Sequence, residues 1–315
     1  MIIKTADDRR QEIAALRRLL AQHGADERKR AQIEQLIRRI AAGIRGEEDA
    51  AYEMRVHWGD SPDWMIIHDL RIRHEGLTAQ MDHLIINRWL EIWVCESKRV
   101  SQGISINPRG EFTVFSDGKP RGIPSPIEQV RKQALILRRV LEAGRVELPK
   151  RLGFTLKPEV KELVLVSRNG RISRPKVPID GLDCIIKADQ LRNTVEIGLG
   201  DRKVSALARI VSQETLERFA RALAALHQPA RHDWAGRLQR DFATAPTAQQ
   251  PWPKRTCDAC GAGVSQGVAQ YCRSEKRFDG RVYCLTCQRS IEHVLVGPEA
   301  VGSGDVTPFA RARQR

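Results

Sequence analysis

Long apolar runs are missing from this chain: no stretch approaches the roughly 20 consecutive apolar residues that cross a bilayer. The first residues also lack the apolar core of a secretory signal. Both absences predict a soluble protein of the cytoplasm with no membrane partner. A disulfide frame is missing as well. Seven cysteines are an odd number, and four fall in Cys-x-x-Cys pairs, a usage that fits metal binding in a reducing compartment. Cys95 and Cys184 stand in apolar, strand-like runs and read as buried, unreactive thiols. Acidic residues are the scarcer charge, 39 against 53 Lys and Arg, for a net +14. The excess is densest in the flanks: residues 1–45 carry 11 basic and 6 acidic groups, and residues 229–315 carry 13 and 8. Basic excess attracts phosphate backbones through counterion release and steering, and it also serves solubility. What remains is ordinary: 315 residues with 41% hydrophobic content hold one sizeable core plus satellites.

The chemistry concentrates in Gln80-Met81-Asp82-His83 and Glu96-Ser97-Lys98, joined by an apolar stretch. A hairpin turn near Trp89 pairs Ile86 with Ile92 and Leu84 with Val94, and the same register sets Asp82 opposite Glu96. Residues two apart on a strand share a face, so Glu96 and Lys98 point the same way and Asp82 joins them across the ladder. Two carboxylates suffice for Mg²⁺, which takes oxygen ligands and keeps several waters. Such a metal polarises a phosphoryl oxygen and lowers the pKa of a bound water, while a lysine beside it orients that water or stabilises transition-state charge. An ordinary ion pair at a strand end is the plain alternative.

The flanking helices are consistent with that site. Ser125 reads as an N-cap, Pro126 suits the first helical position, and Glu128 sits three after the cap. Ile127, Val130, Ala134, Leu137 and Leu141 follow helical spacing. Gln129 lies in the first turn, within reach of a site beside the helix N-terminus, an end that also favours phosphate. Glu47 reads either as a site carboxylate or as an exposed first-turn acid stabilised by the helix dipole.

Taken together, residues 46–141 resemble the nuclease-related domain (NERD), a branch of the PD-(D/E)xK nuclease superfamily. Gly46-Glu47-Glu48 is similar to the family's Gly-Glu element at a helix opening, and His68-Asp69-Leu70 to its strand before the catalytic hairpin. Gln80-Met81-Asp82-His83 resembles the Gln-Ile-Asp-His signature with Met for the usual aliphatic. Glu96-Ser97-Lys98 resembles its Glu-x-Lys, and Ser125-Pro126-Ile127-Glu128-Gln129 its Asn-Pro-x-x-Gln with Ser for Asn. The resemblance implies a restriction-endonuclease-like α/β core, a central mixed sheet flanked by helices. It also implies a metal-dependent nuclease, with Glu47, Asp82, Glu96, Lys98 and Gln129 near the active centre and Mg²⁺ or Mn²⁺ on Asp82 and Glu96. Nucleic acid, DNA ahead of RNA, is the implied partner.

Around this core the chain divides into a helical hairpin over 1–45, an α/β domain over 46–228, a linker over 229–255 in which Arg231 to Phe242 read as a helical island, a cysteine module over 256–292 and a disordered tail over 293–315. In the hairpin, Ile13, Leu16, Leu19 and Leu20 form one stripe and Ile33, Leu36, Ile37 and Ile40 another. His23 to Ala25 break the two helices and Asp26 caps the second. These stripes pack on each other, on the core, or on a second copy or protein partner. Residues 160–166 and 184–187 read as strands, residues 188–191 as the start of a short helix, and residues 204–227 as a longer one. Gly103 to Gly122 reads as a surface loop or small hairpin beside the site. Cys257-x-x-Cys260 and Cys284-x-x-Cys287, 23 residues apart, have the spacing of a tetrahedral structural Zn²⁺ site, a redox pair being the competitor. Cys272 reads as a core or spare thiol. Arg273, Lys276, Arg277, Arg281 and Arg289 with Tyr271, Phe278 and Tyr283 have the makings of a nucleic-acid grip by charge and stacking. The rival reading of the whole is a non-catalytic nucleic-acid-binding or adaptor protein that keeps the nuclease fold. A third is a regulatory protein that recruits partners.

Overall fold

The computed structural model describes residues 1–22, 26–116, 118–151, 153–197, 210–230, 232–238 and 255–295. The chain forms two compact units, 1–242 and 243–315.

The first unit is built on a six-stranded mixed sheet. Its strands are β1 (Ile2–Lys4), β2 (Trp64–His74), β3 (Leu77–Asn87), β4 (Glu91–Lys98), β10 (Glu159–Val166) and β12 (Ile185–Lys187), side by side in that order. β2, β3 and β4 run antiparallel; β1 pairs parallel with β2, and β10 parallel with both β4 and β12. Leu84, Ile85 and Ile86 are all fully buried, a continuous apolar run as expected of a strand covered on both faces. One face carries Leu84, Ile86, Ile92, Val94 and Val164. It packs on helix α3 (Pro126–Glu142) through Val130, Ala134 and Leu137 and on α5 (Gln213–Ala224) through Leu216, Phe219 and Leu223. The other face carries Ile66, Ile85, Cys95, Leu163 and Leu165, under Ala50, Met54 and Trp58 of α2 (Glu27–Trp58) and Leu191 and Val195 of α4 (Leu191–Glu196). The expected helix–sheet–helix architecture is therefore present.

A second sheet grows from the crossover between β4 and β10. It contains β5 (Gly103–Ile106), β6 (Phe112–Ser116) and β7 (Lys119–Ile123) and is joined by β11 (Arg171–Ser173) in the order β11-β5-β6-β7. The Gly103–Gly122 stretch is thus a three-stranded antiparallel meander, larger than the surface loop or small hairpin expected. A two-residue ladder, β8 (Lys150–Arg151) with β9 (Phe154–Thr155), precedes β10.

Three expected boundaries move. Helix α1 (Arg10–Gln22) and α2 form the predicted hairpin, and Asp26 caps α2 by accepting from the backbone of Arg28 and Lys29. However, α2 runs unbroken to Trp58, so Gly46 lies inside it and not at a helix start, and no boundary falls at residue 45. Meanwhile β1, also in the supposed hairpin segment, is a strand of the main sheet. Second, the helical island expected within the linker is present over residues 234–238, but it packs on the core: Trp234 and Leu238 join Leu16, Ile33 and Ile40 in one buried cluster. The two stripes pack on each other and on this segment, with Ile13, Leu19, Leu20, Leu36 and Ile37 partly buried. Third, the helix expected over 204–227 begins at Gln213, capped by the Ser212 side chain. Ile210 and Val211 precede it, and Leu207 lies outside the described residues, as do the 23–25 break, most of the linker and tail residues 296–315. Residues 188–196 are helical as expected.

The second unit contains β13 (Arg255–Thr256), β14 (Gly263–Val264), α6 (Gln266–Ser274) and α7 (Leu285–Leu295). Phe278 is buried at its centre, with Tyr271 and Tyr283 edge-on to it. Phe278 is therefore core and does not present a stacking surface, contrary to the expected aromatic grip. Cys272 is also core: its Sγ contacts the backbone of Tyr283 and accepts from Gln288 Nε2 at 3.1 Å.

Candidate active site and cysteine centre

The β3–β4 ladder has the expected register, with Ile86 opposite Ile92, Leu84 opposite Val94, and His83 opposite Cys95 as its last pair. One step further, Asp82 reaches β4 by its side chain: Oδ2 accepts the backbone N–H of Ser97 at 2.7 Å. The β2–β3 ladder is interrupted at the same level. His68 pairs with His83 and Leu70 with Met81, while Asp69 and Asp82 between them do not pair. Asp69 takes a left-handed backbone, φ 51, which Asp tolerates better than most residues. Across the interruption the core side of the strands changes by one residue: Ile67 and Leu84 line it before, Leu70 and Met81 after. A break of this kind re-aims side chains near functional sites.

Glu96 is the hub. Its Oε1 accepts from Lys98 Nζ at 2.6 Å and from Gln129 Nε2 at 2.7 Å, and its Oε2 accepts from Gln133 Nε2 at 2.8 Å. Gln129 Oε1 in turn accepts from Lys98 Nζ at 2.9 Å. A carboxylate only accepts and an ammonium only donates, so the Gln129 amide has one orientation that satisfies both. Ser125 makes this possible by capping α3, its side chain accepting from Glu128 N, which starts the helix beside the end of β4.

Glu47 reaches the site from α2. Gly46 brings α2 close, because a Cβ there would stand 2.9 Å from the Cβ of Arg99, next to Lys98. Glu47 is half-buried while Glu48 is exposed, so Glu47 is the inward-facing acid of the pair. Burial pushes the Glu47 carboxyl up, and the negative charges of Asp69, Glu96 and Glu48 add to that against the pull of Arg9. Burial, then Glu96 and Glu47, push Asp82 well above the usual carboxylate range. The structure thus brings all five expected residues, Glu47, Asp82, Glu96, Lys98 and Gln129, to one end of the sheet.

Four participants were not expected. Gln133, one helical turn after Gln129, bonds both Glu96 and the Gln80 carbonyl; the Gln-x-x-x-Gln spacing was the available signal. Asp69 accepts from Gln80 Nε2 at 2.8 Å and from the backbone of Asp7 at 3.2 Å. Arg9 lies 3.3 Å from Glu47. His83 contacts His68 (Nδ1 to Nδ1, 2.8 Å) and Ser97 Oγ (3.0 Å), which ties the hairpin together from the opposite face. Burial holds the His68 imidazole down, to about 4, and His83 well below its ordinary value. His68, Asp69 and His83 stand in stretches that carry the family resemblance, which gave them no role at the site, and Arg9 is far from Glu96 in sequence.

The donor set suits a hard divalent cation. It is all oxygen, and burial, with the neighbouring negative charges added to it, holds Asp82 and Glu47 above their usual range, a cost that a cation between them would relieve. Gln133 Oε1, on the amide that bonds Glu96, is buried with no hydrogen-bond partner, an orphaned oxygen beside the carboxylates.

In the second unit, Cys257, Cys260, Cys284 and Cys287 converge with all four sulfurs within 4.8 Å of one another. Tetrahedral Zn–S bonds place sulfurs about 3.8 Å apart, and Cys260 and Cys284 stand at 3.7 Å. Cys257 N donates to Ala262 O and Gly261 N to Cys257 O, with Gly261 at φ +72 closing the turn. Burial raises the Cys257 thiol, yet backbone hydrogen bonds from Cys284, Cys260 and Ala259 outweigh it and hold the group down to about 6. Cys287, sharing hydrogen bonds with Cys284, is pushed up to about 12. Burial, then the Asp82 charge, raises Cys95, and burial raises Cys184 to about 11, in line with inert thiols.

A mixed sheet flanked by helices, with carboxylates and a lysine gathered at one strand end, places the first unit among nuclease-like α/β domains. Residues 42–167 match the family described as Nuclease-related domain, NERD; the chain carries a nuclease-related domain. The match begins within α2 and ends just past β10, so β1, β12, α4 and α5 complete the fold from outside it. No curated protein and no solved structure matches the chain. Among the described residues, no helix is long and apolar enough to cross a membrane.

Proposed function

We propose that this protein is a metal-dependent nuclease that hydrolyses phosphodiester bonds, in DNA ahead of RNA. The observation that carries the reading is the Glu96–Lys98–Gln129 hydrogen-bonded set at the end of β4 with Asp82 anchored on Ser97. Asp82 and Glu96 would hold Mg²⁺ or Mn²⁺, with Glu47 in support. The metal, when bound, supplies Lewis-acid polarisation of the phosphoryl oxygen and a water of lowered pKa. Lys98 spends two of its three N–H donors on Glu96 and Gln129, which leaves one for an attacking water or a phosphoryl oxygen. Gln129 and Gln133 hold the Glu96 carboxylate in place, so little reorganisation is needed as charge develops. In the second unit, the four cysteines would hold a structural Zn²⁺; four thiolates close the coordination sphere and leave no position for substrate. The module would then assist nucleic-acid or partner binding.

The test is to incubate the wild type and Lys98→Ala with supercoiled plasmid and with single-stranded DNA in Mg²⁺ or Mn²⁺. Cleavage by the wild type only, with both proteins folded, is expected. Full cleavage by Lys98→Ala would sink the assignment. No cleavage by either, with DNA still bound, would favour the non-catalytic binding protein.

A further inference from the structure

The second sheet gathers charge that is dispersed in the sequence. Residues 99–123 carry four basic and two acidic groups, and residues 167–176 carry four basic and none acidic. These stretches are 44 positions apart in the chain, yet β11 pairs parallel with β5 and makes them one surface. Their net +6 exceeds the +4 of the whole 46–228 stretch, so the remainder of that stretch is slightly acidic. Seven of the eight cations pair with no carboxylate among the described residues, and six of the seven, Arg109, Lys119, Arg121, Arg168, Arg171 and Lys176, are exposed; Arg99 meets Asp49. Uncompensated repulsion of this kind opposes the compact state. Charge on an edge strand discourages sheet-to-sheet association, which accounts for Lys119 and Arg121 on β7 and Arg171 on β11 but not for Arg109 in a turn or Arg168 and Lys176 in loops.

The position of the sheet supplies the reason. Lys98 and Val166 are the last paired residues of parallel neighbours β4 and β10, and both chains run from that point directly into the second sheet. Gly170 and Gly103 permit the tight junction: a Cβ on Gly170 would meet Val100 at 2.6 Å, and one on Gly103 would meet the Arg171 carbonyl at 2.6 Å. At its other edge, β7 ends two residues before Ser125, the cap of the helix that carries Gln129 to Lys98. The charged sheet is thus attached to the catalytic end of the main sheet. Among the described residues it exposes no large aromatic side chain, and so offers no platform for stacking unpaired bases. Charge without stacking suits a duplex backbone.

We infer that the β5–β6–β7–β11 sheet is a clamp for the phosphate backbone of double-stranded DNA, holding the duplex at the Asp82–Glu96–Lys98 end of the molecule. The role of the clamp in cleavage rests on the nuclease reading; its binding does not. The test measures binding of the full chain to a fluorescent 20-base-pair duplex over a range of NaCl, with no added Mg²⁺ or Mn²⁺. The variants are Lys119→Gln/Arg121→Gln/Arg168→Gln/Arg171→Gln, the charge-preserving Lys119→Arg/Arg121→Lys/Arg168→Lys/Arg171→Lys, and Arg17→Gln/Arg18→Gln on exposed α1. Each lost phosphate contact should flatten the slope of log K against log salt by about 0.9, so the quadruple Gln variant should lose about 3.6 in slope and at least about tenfold in affinity. The charge-preserving set should bind as the wild type, and the α1 pair should leave the slope intact. An unchanged slope in the quadruple variant, or an equal loss per charge in the α1 pair, overturns the clamp. Parallel cleavage assays separate the two readings. A wild type that does not cut but shows the slope change keeps the clamp and loses the nuclease; one that cuts with no slope change does the reverse.

Discussion

At Asp82 three carboxylates compete for one region of low dielectric. Its folded-state pKa lies above the unfolded value of 3.8, so between the two the native state binds more protons than the unfolded chain. Stability from this group therefore falls as pH rises from about 3.8 through the raised value. Asp82→Asn removes the charge and keeps an oxygen for the Ser97 N–H. Without divalent metal it should melt higher than the wild type at pH 7 in scanning calorimetry, with the difference shrinking toward pH 4. Added Mg²⁺ should raise the wild-type midpoint and leave the variant unmoved. Equal metal response in both would remove Asp82 from the metal site. At this scale the sequence exposed the groups that recur at strand or helix spacing: Asp82, Glu96, Lys98 and Gln129. It gave Asp69 no role beyond the His68-Asp69-Leu70 resemblance, because a left-handed φ in a strand leaves no periodic trace, and it concealed Arg9, which meets Glu47 across 38 positions.

Helix α2 shows what an element adds. Its 32 residues carry the hairpin stripe at one end, the Glu47 carboxylate in the middle and the Trp58 packing surface at the other. The paired glycines Gly43 and Gly46 offer a direct comparison. A Cβ on Gly43 would sit at an ordinary 3.8 Å from Glu47 Oε1, whereas one on Gly46 would press on Arg99 at 2.9 Å. Gly-to-Ala in a helix interior gains about 1 kcal/mol, while overpacking costs about 1–3 kcal/mol. Gly43→Ala should raise stability in urea titration. Gly46→Ala should fail to raise it or lower it, and should slow cleavage by displacing Glu47. A Gly46→Ala protein as stabilised as Gly43→Ala would show that the close approach is not needed. Hydrophobic periodicity announced both helices of the hairpin but not the continuity of α2 past residue 45, since a polar stretch with glycine reads as a break until a sheet is there to pack on.

For the whole molecule, two units rest on different sources of stability. The first buries an extensive two-faced sheet; the second is small and would depend on its metal, as compact modules of this size commonly do. Elemental analysis should find about one zinc per chain, the content of a single four-thiolate site, and Cys257→Ser/Cys260→Ser should lose it. A zinc chelator should abolish hydrogen-exchange protection over residues 256–292 while leaving β3, β4 and β10 protected. Uniform loss of protection, or zinc retained by the double variant, would contradict the division.

The sequence by itself determined what local pattern and spacing can carry: strand alternation and its register, the Ser125 cap, the Cys-x-x-Cys pairs, and with them the α/β class and the principal groups of the candidate site. Only the tertiary structure decided which side chains complete that site and where the charge collects. Gln133 meets Glu96, Asp69 faces Asp82 at a break in the ladder, and Arg168 and Arg171 join Lys119 and Arg121 on one sheet. The reason is physical: each of these depends on pairings between segments distant in the chain, and a periodic pattern records which face of an element is buried but not which partner covers it.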